Sequence, residues 1–154
     1  MRGADLIPKP AYGRLPIAVT GNSRRSVDWI AANADAWIMY PRGPEPQAQV
    51  VQSWRQAVRR HGGVDFKPFA QSLYIDLSED PHAAARPIHL GFHLGRDALV
   101  DFLGYLQKLG VNHVILNLKY GRRPAAEVLE ELSREVVSHF PAHDARPLEA
   151  VAAR

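Results

Sequence analysis

The densest local chemistry in the chain lies in the run Thr20-Gly21-Asn22-Ser23-Arg24-Arg25-Ser26. It follows a β-branched stretch and leads straight into an apolar helical pattern. A glycine turn, hydroxyl side chains and free amides at a helix N-terminus make a phosphate cradle, and the helix dipole reinforces it. The same residues fit an N-cap serine on an ordinary turn, and local chemistry leaves both readings open. Arg42 and the run Lys119-Tyr120-Gly121-Arg122-Arg123 are further cationic strand ends. Each is an anion site or a solvated loop.

Other residue types point away from chemistry. His89 and His93 are four apart, the spacing that sets two metal ligands on one helix face. Gly91 lies between them, no glutamate occupies a general-base position, and the flanks resemble a loop, so no metal site is expected. His113 falls within a strand, where a core or lumen histidine is expected. No nucleophile–base pair and no pair of carboxylates shares a site, which leaves catalytic residues unassigned. Trp29 and Trp54 fall on helix core faces and Trp37 opens a strand, so packing accounts for all of them.

Composition narrows the class. The chain has 154 residues, 46% hydrophobic and 23% charged, the range of an ordinary globular domain. The absence of cysteine removes disulfide frameworks and thiol metal sites and is compatible with a reducing cytoplasm, the expected location. No run approaches the ~20 apolar residues of a spanning helix, and the first residues lack a signal-peptide core. A net charge of +3 with arginine pairs at Arg24-Arg25, Arg59-Arg60 and Arg122-Arg123 is too small for a polyanion binder. Neither nucleic acid nor membrane is therefore an expected partner.

Two periodicities alternate to position these residues. Strands are expected over residues 15–20, 36–40, 69–77 and 111–118. Helices are expected over residues 26–34, 45–61 and 95–109, and again after Pro124, where Val128, Leu129, Leu132, Val136 and Val137 form the stripe. A longer connection spans residues 80–94. The order is β-α-β-α-β-α-β-α, which implies an α/β fold with parallel pairing and helices covering the sheet. Four units fit a small open sheet or half of an eight-unit barrel. In either, ligands gather at the C-terminal strand ends. Residues 1–14 are expected as an N-terminal extension, 15–141 as the domain and 142–154 as a frayed tail.

The stretch from Leu15 to Trp37, which contains Gly21-Asn22-Ser23, resembles the bacterial luciferase-like monooxygenases, and within them the luciferase-type oxidoreductases. Tyr40-Pro41-Arg42, Gln71-Ser72-Leu73-Tyr74-Ile75-Asp76-Leu77, His89-Leu90-Gly91-Phe92, the run from Gly110 to Leu118, and Arg123-Pro124 continue the likeness. The resemblance implies four βα units equivalent to the C-terminal half of a (β/α)8 TIM barrel. It implies a flavin-dependent oxidoreductase or monooxygenase that uses FMN, or the deazaflavin F420, on a small organic substrate. It places the flavin phosphate at Gly21, Asn22 and Ser23, with Arg24, Arg25 and Ser26 as weaker candidates, and turns Arg42 and residues 119–123 toward the barrel mouth. A full barrel takes about 250 residues, so activity is expected to need a second half, either another copy in a homodimer or a separate N-terminal half. The alternative is a truncated scaffold or binding domain without redox activity.

Overall fold

Ala11, residues 13–64 and residues 66–141 are described by the structure, a computed structural model. The chain forms two compact units, one of Met1–Ser72 with Gln107–Ile115, the other of Leu73–Leu106 with Leu116–Arg154.

The first unit begins with β1 (Ala18–Thr20), α1 (Val27–Asn33), β2 (Ala36–Met39) and α2 (Pro44–His61), then enters β3 (Phe69–Leu77). β1 pairs in parallel with β2, Ala18 opposite Ala36, and β2 with β3, Trp37 opposite Phe69. Ser26 starts α1 by accepting the Trp29 N–H on its hydroxyl. The far end of α1 is closed by Lys67, whose Nζ donates to the carbonyls of Ala31 and Ala34 at 2.6 and 2.7 Å. Two prolines in its first turn favour α2, and a basic last turn complements its dipole before Gly62. Val51, Trp54, Ala57 and Val58 form its buried stripe. Trp54 lies 5.5 Å from Trp37, which meets Phe69 edge-on at 5.7 Å. Asn112 ties down β3, its N–H donating to the Phe69 carbonyl and its side-chain oxygen accepting the Phe69 N–H.

An ion pair fastens the entry to β1. The Arg14 guanidinium bonds both Asp35 oxygens, at 2.8 and 2.6 Å, and the Ile17 N–H adds a third bond at 2.7 Å. Together they hold the Asp35 carboxyl at about 2. A carboxyl depressed in the folded state contributes stability above its unfolded pKa and loses it as pH falls through the folded one. Asp35→Asn is thus expected to lower the urea midpoint at neutral pH, with the gap to the unsubstituted chain closing between about pH 4 and about pH 2. A gap independent of pH would refute the assignment.

The second unit contains the rest of β3, then β4 (Arg86–Ile88), β5 (Gly91–Leu94) and α3 (Arg96–Leu109) as far as Leu106, the residues from Gln107 to Ile115 belonging to the first unit. β6 (His113–Asn117), which pairs with β3, leads to α4 (Ala125–Glu131). α4 continues as a π-turn over Leu132–Val136 and a 3-10 turn over Val137–His139. β5 pairs in parallel with β3, Asp76 opposite His93, and antiparallel with β4, Arg86 opposite His93.

All four expected βα units form, with three differences. The connection at residues 80–94 holds a β-hairpin, which places His93 on a strand and not in a loop. Its two-residue turn has Leu90 at φ +53°, a conformation usually given to glycine or asparagine, so no turn signature marks it. Trp29 is not core: it is 41% exposed under the Arg25 guanidinium, 4.7 Å from the ring centre. Leu129 and Val137 are likewise exposed, while Val128, Leu132 and Val136 make the buried stripe. Strands one, two and four are shorter than expected by one to three residues at an end. Most of the expected N-terminal extension, and the whole expected tail at 142–154, lie outside the described residues. Among the described residues no helix is long and apolar enough to cross a membrane.

Candidate functional site

In the first unit the chain leaves β1 through a tightly held turn. Gly21 adopts φ +59°, and Ser23 and Arg24 follow at +46° and +57°. Left-handed backbone at non-glycine residues costs on the order of 1–3 kcal/mol each and persists only where neighbours enforce it. Here the Gly21 N–H donates to the Ile38 carbonyl at 2.8 Å, and the Trp37 indole donates to the Gly21 carbonyl at 2.7 Å. The Ser23 hydroxyl donates back to the Thr20 carbonyl at 3.0 Å.

Beside this turn lies a cavity of about 400 Å³. Asn22, Arg25 and Ser26 line it from the turn, Arg42 from the end of β2, and Gln49 and Ser53 from α2. Trp37, Met39, Val27 and Val50 supply an apolar wall. The lining has two guanidinium groups and no carboxylate, so its charge favours an anion. Of the residues expected at a flavin phosphate, Asn22, Arg25 and Ser26 reach this cavity, and Arg42, expected near the barrel mouth, joins them. Gly21, Ser23 and Arg24 shape the turn without lining it. The Ser26 oxygen already accepts the Trp29 N–H, so its cap role and its place in the lining coexist. Gln49 and Ser53 escaped the sequence reading. Their only signal is their i, i+4 spacing on the polar side of α2.

The second unit gathers a different set at the end of β3. Asp76, buried, accepts the main-chain N–H of Arg122 at 3.1 Å, its Nε at 2.9 Å, and meets His93 Nδ1 at 3.0 Å. Burial pushes the Asp76 carboxyl up, but the Arg122 bonds, with its charge and that of His93, outweigh this and hold it below its ordinary value. Arg122 Nη2 also lies 3.1 Å from His93 Nδ1. The rest of the cationic run divides its duties. Lys119 sits over the Tyr120 ring, while Arg123 bonds Glu131 at 2.7 Å and the Ser78 carbonyl at 3.1 Å. Arg123 is thereby a structural ion-pair partner, not a free cation. His113 is exposed on β6.

No protein-family model and no curated protein matches the chain. Among solved structures it is similar to the coenzyme F420-dependent tetrahydromethanopterin reductase from Methanopyrus kandleri, with a TM-score of 0.66 at 13% sequence identity. The match covers 82% of this chain and 51% of the reductase, so the chain spans about half the length of that enzyme. At this identity the likeness concerns the fold, and it agrees with the strand–helix order described above: the chain has a mixed α/β fold of four βα units, matching part of a TIM-barrel-like enzyme.

Proposed function

We propose that the chain is the phosphate-binding part of a luciferase-like oxidoreductase that uses FMN or F420 on a small organic substrate. The first-unit cavity would receive the cofactor phosphate. The observation that carries this reading is the pairing of Arg25 and Arg42 at the C-terminal ends of β1 and β2, in a lining without a carboxylate. Bidentate guanidinium bonds suit phosphate oxygens. The Asn22 amide and the Ser26 hydroxyl would add neutral donors, and Trp37 and Met39 would exclude water from the phosphate's inner side. The cofactor ring, when bound, supplies the hydride chemistry. Similarity to an F420-dependent reductase supports this class of cofactor.

Completion by a second half barrel, in a homodimer or from a separate chain, belongs to the same proposal. β1 pairs only with β2 among the described residues, and Leu15 and Ile17 are exposed just before it. An open edge beside apolar side chains favours association. Light scattering is expected to report a dimer, and a monodisperse monomer would assign the second half to another chain.

The test is a titration with FMN and with F420 followed by fluorescence. Saturable binding is expected, and Arg42→Ala should weaken it about tenfold, the equivalent of ~1.4 kcal/mol. A second reading, a binding domain without redox activity, draws on the Ser23 hydroxyl, which is engaged with Thr20. Absence of binding at high micromolar concentration of either cofactor would favour that reading.

A further inference from the structure

The β3–β5–β4 ladder of the second unit carries an assembled face that the cofactor reading does not use. Residues opposite one another in register put their side chains on the same side of a sheet. Asp76, His93 and Arg86 are therefore neighbours on one face, with Tyr74 two residues before Asp76 on the same side. Gly91, opposite Tyr74, adds no side chain there. From the loop after β6, Tyr120 lies 5.1 Å from the Tyr74 ring at an interplanar angle of 33°. His89 flanks both tyrosines at 6.2 and 6.1 Å.

The polar half of this face is held in place from beneath. Asp76 takes the Arg122 main-chain N–H and its Nε, which fixes the root of the guanidinium, while the Arg122 side chain stays 73% exposed. Arg122 Nη2 also reaches His93 Nδ1 at 3.1 Å, so the edge presented in a set direction is Nη1 with the remaining Nη2 hydrogen. Arg86 and Lys119 add positive charge, so the face has three permanent cations against the single carboxylate of Asp76. His93 Nδ1 lies between the Asp76 carboxylate, 3.0 Å away, and Arg122 Nη2, 3.1 Å away, so either tautomer finds a partner there. That leaves His93 Nε2 to pair outward, accepting or donating according to the tautomer, on a ring that is 24% exposed.

We propose that this face binds a small aromatic carboxylate with a hydroxyl substituent. The ligand ring stacks on Tyr120 and Tyr74, its carboxylate bonds Arg122 with support from Arg86 and Lys119, and its hydroxyl, able to donate or accept, bonds His93 Nε2. Stacking and a charge-assisted bond each contribute to this recognition. The proposal goes beyond the cofactor reading and stands without it.

The experiment is a cofactor-free titration by saturation-transfer NMR at low salt with 4-hydroxybenzoate, benzoate, benzamide and AMP. 4-Hydroxybenzoate is expected to bind saturably, more tightly than benzoate and at least about tenfold more tightly than benzamide. Tyr120→Ala, at an exposed position, should weaken it about tenfold with the thermal midpoint little changed, and Arg122→Gln should weaken it about tenfold with some loss of midpoint, because it also removes the cation paired with Asp76. Equal binding of benzamide, no effect of Arg122→Gln, preference for AMP, or no saturable binding of the acid would each overturn the proposal. Because no cofactor is present, any of these results leaves the reading of the first-unit cavity standing or falling by its own titration.

Discussion

Trp54→Ala is expected to lower the stability of the chain by about 3–5 kcal/mol, the range for emptying a buried aromatic site. The indole is fully buried on α2, 5.5 Å from Trp37, and its Nε1–H donates to the Lys67 carbonyl at 3.1 Å. Truncation removes the largest fully buried side chain of the first unit and also takes away that carbonyl's donor. Lys67 matters beyond its own position, because its Nζ closes the end of α1. Loss at Trp54 should therefore spread to α1 and to the turn that lines the cavity. Domains of this size are stable by only about 5–15 kcal/mol, so about a fifth or more of the total is at stake. Urea unfolding followed by far-ultraviolet circular dichroism measures it. Trp54→Phe should recover much of the loss, since it restores ring packing but not the donor to Lys67. An alanine variant within about 1 kcal/mol of the unsubstituted chain would mean that the site collapses around the gap.

What the sequence makes legible follows from which forces are local. The strands at β2 and β3 and the helices α2 and α3 announce themselves because their apolar residues repeat at the periods of the elements that bury them. The anion-friendly turn at residues 20–26 is equally legible, since its glycine, hydroxyls and arginines are contiguous. Convergence is harder to read. Gln49 and Ser53 reach the same cavity from a helix beyond β2, and only the fold brings them to Asn22 and Arg42. Trp29 misleads because a helical stripe does not reveal where burial ends, and a guanidinium can cover an exposed ring as Arg25 does. The Asp76–His93–Arg122 cluster joins residues 17 and 46 positions apart, and no periodicity links them. It depends on a hairpin with a proline in its outer strand and a leucine at the left-handed turn position, both contrary to ordinary strand and turn signals.

That hairpin supplies the second large effect, because its attachment to β3 rests on one missing side chain. A Cβ placed on Gly91 would come 1.7 Å from the Tyr74 carbonyl oxygen and 2.6 Å from its carbon. Both are backbone atoms and cannot swing aside. Gly91→Ala must therefore push β5 away from β3, beginning at the Tyr74 N–H bond to the Leu90 carbonyl and extending to the Asp76–His93 register. Overpacking of this kind costs typically 1–3 kcal/mol and occasionally more. A clash of backbone with backbone belongs at the upper end of that range. The expected result is a clear drop in thermal midpoint together with loss of 4-hydroxybenzoate binding, because His93 and Arg86 move with the hairpin while Tyr74 and Asp76 stay on β3. Binding of FMN or F420 in the first-unit cavity should survive at temperatures where the variant remains folded, since none of its lining residues belongs to the hairpin. If Gly91→Ala retains full stability, β5 does not pack against β3 at this distance, and the geometry argued for the aromatic face fails with it.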